Sequence, residues 1–130
     1  MRHPSVYAQL LARRIKQHKA NCWLVNTGWT GGPYGVGSRM KIEFTRALLN
    51  AVLGGSLDKA TLRPDPVFGF LVPTQCPGVP AEILDPRKTW SAPSDYDAQA
   101  IRLTALFRDN FVQFKDQSPK SVQEAGPRTG

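Results

Sequence analysis

The chain has 130 residues, 41% apolar and 21% charged, the length and balance of one globular domain, which excludes wholesale disorder. Lys and Arg number 17 against 10 Asp and Glu, so the net charge of +7 points to anionic partners without choosing between nucleic acid, a nucleotide, a phosphorylated metabolite and nothing more than solubility. No apolar run approaches the ~18 residues a membrane span needs, and Arg2, His3, Arg13 and Arg14 interrupt the place of a signal sequence, so a cytoplasmic chain with no membrane partner is expected.

From Pro4 to Lys19 the apolar residues Tyr7, Leu10, Leu11 and Ile15 recur at three and four, which predicts an amphipathic helix with Pro4 in its first turn. Arg13, Arg14, Lys16 and Lys19 read as its solvated face in preference to a nucleic-acid stripe. Cys22-Trp23-Leu24-Val25 is a short run of strand formers and predicts a buried strand over 22–26. Cys22 and Cys76 have no further Cys or His at ligand spacing, so both read as small buried apolar groups and not as a metal site. Five glycines then fall between Gly28 and Gly37, a stretch suited to positive φ and close backbone approach and unsuited to a regular element. A helix is predicted over 41–53, with Ile42, Thr45, Leu48, Leu49, Val52 and Leu53 on its apolar stripe and Gly54-Gly55 as its stop.

Between Ser56 and Pro93 the periodicity fades. Pro64, Pro66, Pro73, Pro77, Pro80, Pro86 and Pro93 predict turns and extended pieces, with one strand over 67–72. So long a weakly patterned stretch is expected to wrap over a surface supplied by another part of a larger protein. The final helix is predicted over 94–114, with Ser94 as N-cap, Asp97 as a short capping-box acid, and Tyr96, Ala100, Leu103, Phe107, Phe111 and Phe114 on one core face. From residue 116 to 130 the chain is polar, with Pro119, Gly126 and Pro127, and disorder is expected. Together the elements predict the α/β class.

Gly32 to Gly37 followed by Ser38-Arg39 has the G-x-x-x-x-G spacing of a phosphate loop, but Ser and Arg stand where a lysine and a metal-binding hydroxyl belong. A structural turn competes with that reading. Trp29, Tyr34 and Arg39 favour a functional loop, because their planar groups can stack on a base. His3 and His18 lack triad partners, and Glu43, Asp58, Asp65, Glu82 and Asp85 show no paired-carboxylate spacing, so no catalytic residue and no metal ligand is expected in this chain.

The run Trp23-Leu24-Val25-Asn26-Thr27-Gly28-Trp29-Thr30-Gly31-Gly32-Pro33-Tyr34-Gly35-Val36-Gly37 closely resembles a stretch of ATP-dependent phosphoenolpyruvate carboxykinases. His3 to Ala8 before it, and Arg39-Met40, Thr45-Arg46-Ala47, Asp65-Pro66-Val67-Phe68-Gly69, Val72-Pro73-Thr74, Cys76-Pro77-Gly78-Val79-Pro80 and Leu84-Asp85-Pro86-Arg87 after it, resemble the same family in the same order. The resemblance runs from His3 to Phe114 and covers about the last quarter of the family's length.

The resemblance implies a mixed sheet with flanking helices over 1–115, the C-terminal part of a larger nucleotide-binding domain. It also implies the gluconeogenic activity, in which oxaloacetate is decarboxylated and the γ-phosphoryl of ATP passes to the resulting enolate, giving phosphoenolpyruvate, ADP and CO2. ATP and oxaloacetate are then the substrates, Mg2+ and Mn2+ the metals, and the phosphate loop and metal ligands lie in the upstream part of the parent enzyme. Arg39, Met40 and Thr45 match the family's ATP-contacting positions, which puts the adenosine end of the nucleotide here. Ser38 departs from a lysine common in the family and is not one of these contacts. The isolated chain is expected to be inactive, and nucleic acid becomes an unlikely partner. Two other readings compete: a small basic, non-catalytic module that binds nucleotides or nucleic acid, and a truncated remnant that does not fold stably.

Overall fold

The computed structural model describes residues 3–128. Among the described residues, five α-helices and two small antiparallel ribbons make it a mixed α/β chain, as the elements predict. In order these are α1 (Pro4–His18), β1 (Trp29–Thr30), β2 (Ser38–Arg39), α2 (Ile42–Leu53), β3 (Leu62–Pro64), β4 (Leu71–Pro73), α3 (Pro86–Thr89), α4 (Pro93–Phe111) and α5 (Lys120–Glu124). The strands form two separate pairs, β1 with β2 and β3 with β4.

Helix α1 begins where Pro4 predicts, with His3 Nδ1 accepting the Ser5 N–H, and ends at Lys19 in the left-handed conformation. It buries nothing: Tyr7, Leu10 and Leu11 are all exposed. The segment predicted as a buried strand over 22–26 is not one. It has no strand partner among the described residues, Cys22 is exposed and Leu24 is 80% exposed, while Trp23 alone packs inward. Strand propensity reports fitness for a half-buried surface, and that surface requires a neighbouring strand.

The core lies where the sequence predicts least order. Leu57, Cys76, Val79 and Leu84 close on Ala51 of α2, with Phe44, Ala47, Leu48 and Val52 packed around them. Cys76 is therefore buried as expected, and burial pushes its thiol pKa up. The predicted stripe of α2 is turned inward only in part: Leu48 and Val52 pack on the core, whereas Ile42 and Leu53 are left 68% and 84% exposed. Small residues at 47 and 51 let the chain approach closely, and Gly78, at φ 76° in the turn between Cys76 and Val79, comes against Ala47.

The predicted strand over 67–72 shortens to β4 because Asp65 intervenes. Its Oδ1 accepts the N–H groups of Val67 and Phe68 at 2.9 and 2.7 Å, removing both from any ladder, and Gly69 closes the turn at φ 73°. This side-chain turn is what makes β3 and β4 a hairpin, with Arg63 opposite Val72. Arg63 then reaches the Leu84 carbonyl and the Asp85 carboxylate, binding the ribbon to the segment before α3.

Helix α4 starts one residue early, with Ala92 as N-cap and Pro93 at the first helical position, so Ser94 caps nothing. Asp97 has a stronger partner: both carboxylate oxygens accept from Arg87 at 2.8 and 2.9 Å, which holds its pKa below the usual carboxylate range and ties α3 to α4. The expected face turns inward in part: Ala100 is buried and Tyr96, Phe111 and Phe114 are half-buried, whereas Leu103 and Phe107 are exposed. Ala100 and Thr104 are the buried positions, Phe107 is 51% exposed with its edge against Phe68, and the α-helix ends at Phe111, passing into tighter turns over Val112–Gln117. In the segment predicted to be disordered, α5 forms, and the Arg128 N–H donates to the Val67 carbonyl.

Leu57 is 3% exposed at the centre of this cluster. Leu57→Ala is expected to cost about 2–5 kcal/mol, read as a lowered midpoint in urea denaturation. The same substitution at Leu53 on the exposed face should cost a small fraction of that.

Candidate functional site

The glycine-rich stretch folds as a tight hairpin. Trp29 pairs with Arg39 and Thr30 with Ser38, and the Met40 N–H donates to the Gly28 carbonyl at 3.1 Å. Within the loop, the Pro33 carbonyl accepts from Val36 and Gly37 at 3.0 and 2.9 Å, and Gly31 and Gly35 sit at φ 77° and 88°. Gly37 has no room for a side chain: a Cβ there would lie 2.6 Å from the carbonyl oxygens of both Thr30 and Gly32.

This geometry removes the phosphate-loop reading. The amides of Val36 and Gly37 already donate to Pro33, and that of Gly31 donates to Thr89 Oγ1 at 3.1 Å, so they do not converge on an empty anion position. Helix α2 also begins beyond the loop, after β2, at Ile42.

Thr89, 58 positions downstream of Gly31, fixes the hairpin to the body of the chain. Its hydroxyl donates to the Pro86 carbonyl at 2.8 Å and accepts from both the Thr30 hydroxyl and the Gly31 amide. Sequence reasoning missed this residue, because no local spacing connects a threonine at the end of α3 to a loop so far away.

On the outer surface the hairpin carries an aromatic and cationic group. The Arg39 guanidinium lies 5.8 Å from the centre of the Trp29 ring, and Tyr34 stands edge-on to that ring at 5.1 Å and 79°. Of the three expected site residues, Arg39 and Met40 are adjacent on β2 and the turn after it, Arg39 exposed and Met40 half-buried. Thr45 lies in the first turn of α2, half-buried, its N–H bonded to the Lys41 carbonyl; among the described residues no hydrogen bond joins its hydroxyl to Arg39 or Met40. The arrangement offers a planar cation, a hydroxyl and closely approachable backbone, groups that bind and orient and do not transfer protons or attack carbon. Among the described residues no three His, Cys, Asp or Glu side chains come together as metal donors.

Residues 1–82, which include the whole hairpin and α2, match the family model described as phosphoenolpyruvate carboxykinase. The chain belongs to the phosphoenolpyruvate carboxykinase family. It is 62% identical over 125 residues to phosphoenolpyruvate carboxykinase (ATP) 1 of Moorella thermoacetica, a match that takes in 96% of this chain and 24% of the relative. It is 54% identical over 127 residues to phosphoenolpyruvate carboxykinase (ATP) of Thermus thermophilus, over 98% of this chain and again 24% of the relative. The chain thus spans about a quarter of the length of the carboxykinases it matches.

If the closeness at Gly37 sets the hairpin's shape, Gly37→Ala must push two carbonyls apart, at an expected cost of about 1–3 kcal/mol. Hydrogen exchange at the Met40 and Gly37 amides is the measurement: both should lose protection in the variant, while amides of α2 beyond its first turn keep theirs.

Proposed function

We propose that the chain is the C-terminal, ATP-binding segment of an ATP-dependent phosphoenolpyruvate carboxykinase of the cytoplasm, acting in gluconeogenesis. The whole enzyme converts oxaloacetate and ATP to phosphoenolpyruvate, ADP and CO2, and this segment supplies the adenosine end of the nucleotide site. Identity of 62% over 96% of the chain to a carboxykinase that carries ATP in its name is the observation that supports this reading most strongly. Arg39, Met40 and Thr45 are the residues assigned to the nucleotide. Arg39 lays its guanidinium plane along the purine, the Thr45 hydroxyl hydrogen-bonds, and the glycines admit the ligand close to the backbone.

Phosphoryl transfer depends on positioning and on charge neutralisation at the γ-phosphate, which Mg2+ and Mn2+ provide when bound. The described residues of this chain do not fit such a metal, having no cluster of donors. The body of the enzyme is the remaining partner. Tyr7, Leu10, Leu11, Leu24, Phe70 and Leu71 are all exposed, and Leu24, Phe70 and Leu71 line one groove, apolar groups that suit packing against further protein.

Two outcomes test the reading. The purified 130-residue chain should form no phosphoenolpyruvate above background from oxaloacetate and ATP with both metals supplied, whereas an intact carboxykinase containing this segment should. In that intact enzyme, Arg39→Ala should weaken ATP by about 1–3 kcal/mol, roughly one to two orders of magnitude in Kd, and leave oxaloacetate nearly unaffected. Arg39→Lys should recover only part, since charge returns without the plane. Equal ATP dissociation constants for all three proteins would overturn the assignment.

A further inference from the structure

The guanidinium of Arg39 is exposed and lies against an aromatic ring. Among the described residues it makes no ion pair with a carboxylate and no side-chain hydrogen bond; its recorded neighbour is the Trp29 ring, 5.8 Å away, and Trp29 is also its partner across the ribbon. Cross-strand partners face the same side of a ribbon, so the pairing itself delivers the cation to the ring. The indole is in turn held. Tyr34 meets it edge-on at 5.1 Å, the arrangement in which a positive ring edge faces a negative ring face. Tyr34 reaches that place because the loop folds back through Gly31 and Gly35, both at positive φ, and because Thr89 anchors the base of β1.

We propose that Trp29 is a positioning residue for the nucleotide site: its ring holds the Arg39 guanidinium in the orientation in which it meets the base, and Tyr34 holds the ring. The inference rests on the reading of Arg39 as a nucleotide contact and adds to it a residue that acts through Arg39. An arginine free in solvent surrenders its rotamer freedom on binding, and one already lying on an aromatic surface surrenders less. A carboxylate partner would restrain Arg39 too, but it would compete with an anionic ligand. A ring restrains it and leaves its charge uncompensated.

The test is a double-mutant cycle in an intact carboxykinase containing this segment, reading the KM for ATP, the KM for oxaloacetate and kcat. Trp29→Leu should raise the KM for ATP about two- to fivefold, the range of an exposed cation–π contact, with kcat and the KM for oxaloacetate unchanged. Trp29→Phe keeps a ring and should recover much of the loss, and it serves if the leucine variant folds poorly. In an Arg39→Ala background, Trp29→Leu should have no further effect. If Trp29→Leu raises the KM for ATP equally with and without Arg39, the ring acts on the nucleotide by itself and the positioning role is overturned. No effect of either Trp29 variant in the presence of Arg39 overturns it as well. An inert Arg39→Ala overturns both this role and the assignment of Arg39 to ATP, whereas a damaging Arg39→Ala with an inert Trp29→Leu overturns the positioning role alone.

Discussion

The chain has very little interior, and its architecture follows from where that interior is. Leu57, Cys76, Val79 and Leu84 close against Ala51, and none of the described side chains is less than 2% exposed. A cluster this small cannot hold distant elements by apolar contact alone, so directed polar contacts do much of the joining. Arg63 bridges the β3–β4 ribbon to Leu84 and Asp85, Arg87 clamps α4 to α3 through Asp97, and Thr89 fastens the glycine hairpin. Each of these fasteners leads back to the segment between Leu84 and Thr89, which sits beside the core. The candidate site is therefore tied to the core twice, directly through α2 and, for the hairpin, through Thr89 of α3.

Local signals with a local mechanism were legible in the sequence. Pro4 begins α1 and Gly54-Gly55 ends α2, because each acts through its own backbone. Signals whose meaning depends on a partner were not. Residues 22–26 have the composition of a strand, yet Leu24 faces outward with no strand beside it. The spacing of Ala100, Phe107, Phe111 and Phe114 describes a stripe and says nothing of what covers it: Ala100 is buried and Phe111 and Phe114 are half-buried, while Phe107 is left exposed. The proline-rich middle lacks periodicity and still supplies four of the five clustered buried residues, since turns fixed by Asp65 and Gly78 deliver side chains inward without any regular repeat.

At the candidate site the residues were legible and their arrangement was not. Trp29, Tyr34 and Arg39 stand out in the sequence as planar groups among glycines. The structure brings all three together at one ring, with Tyr34 and the Arg39 guanidinium both meeting Trp29. The phosphate-loop spacing misleads for a related reason. A pattern of glycines fixes where the backbone can bend but not which carbonyls its amides will meet, and here Pro33 and Thr89 take them.

The clasp at Thr89 also bears on the order of events as the polypeptide emerges from the ribosome. Strands β1 and β2 can pair as soon as residue 40 is available, because their contact spans few positions. The Thr30 hydroxyl and the Gly31 amide, however, have no acceptor until a residue 58 positions beyond Gly31 has been made and α3 has formed around it. Closing so large a loop is entropically more demanding than closing the hairpin. The glycine-rich loop thus acquires its final registration late, once the segment that carries Thr89 has docked beside the core.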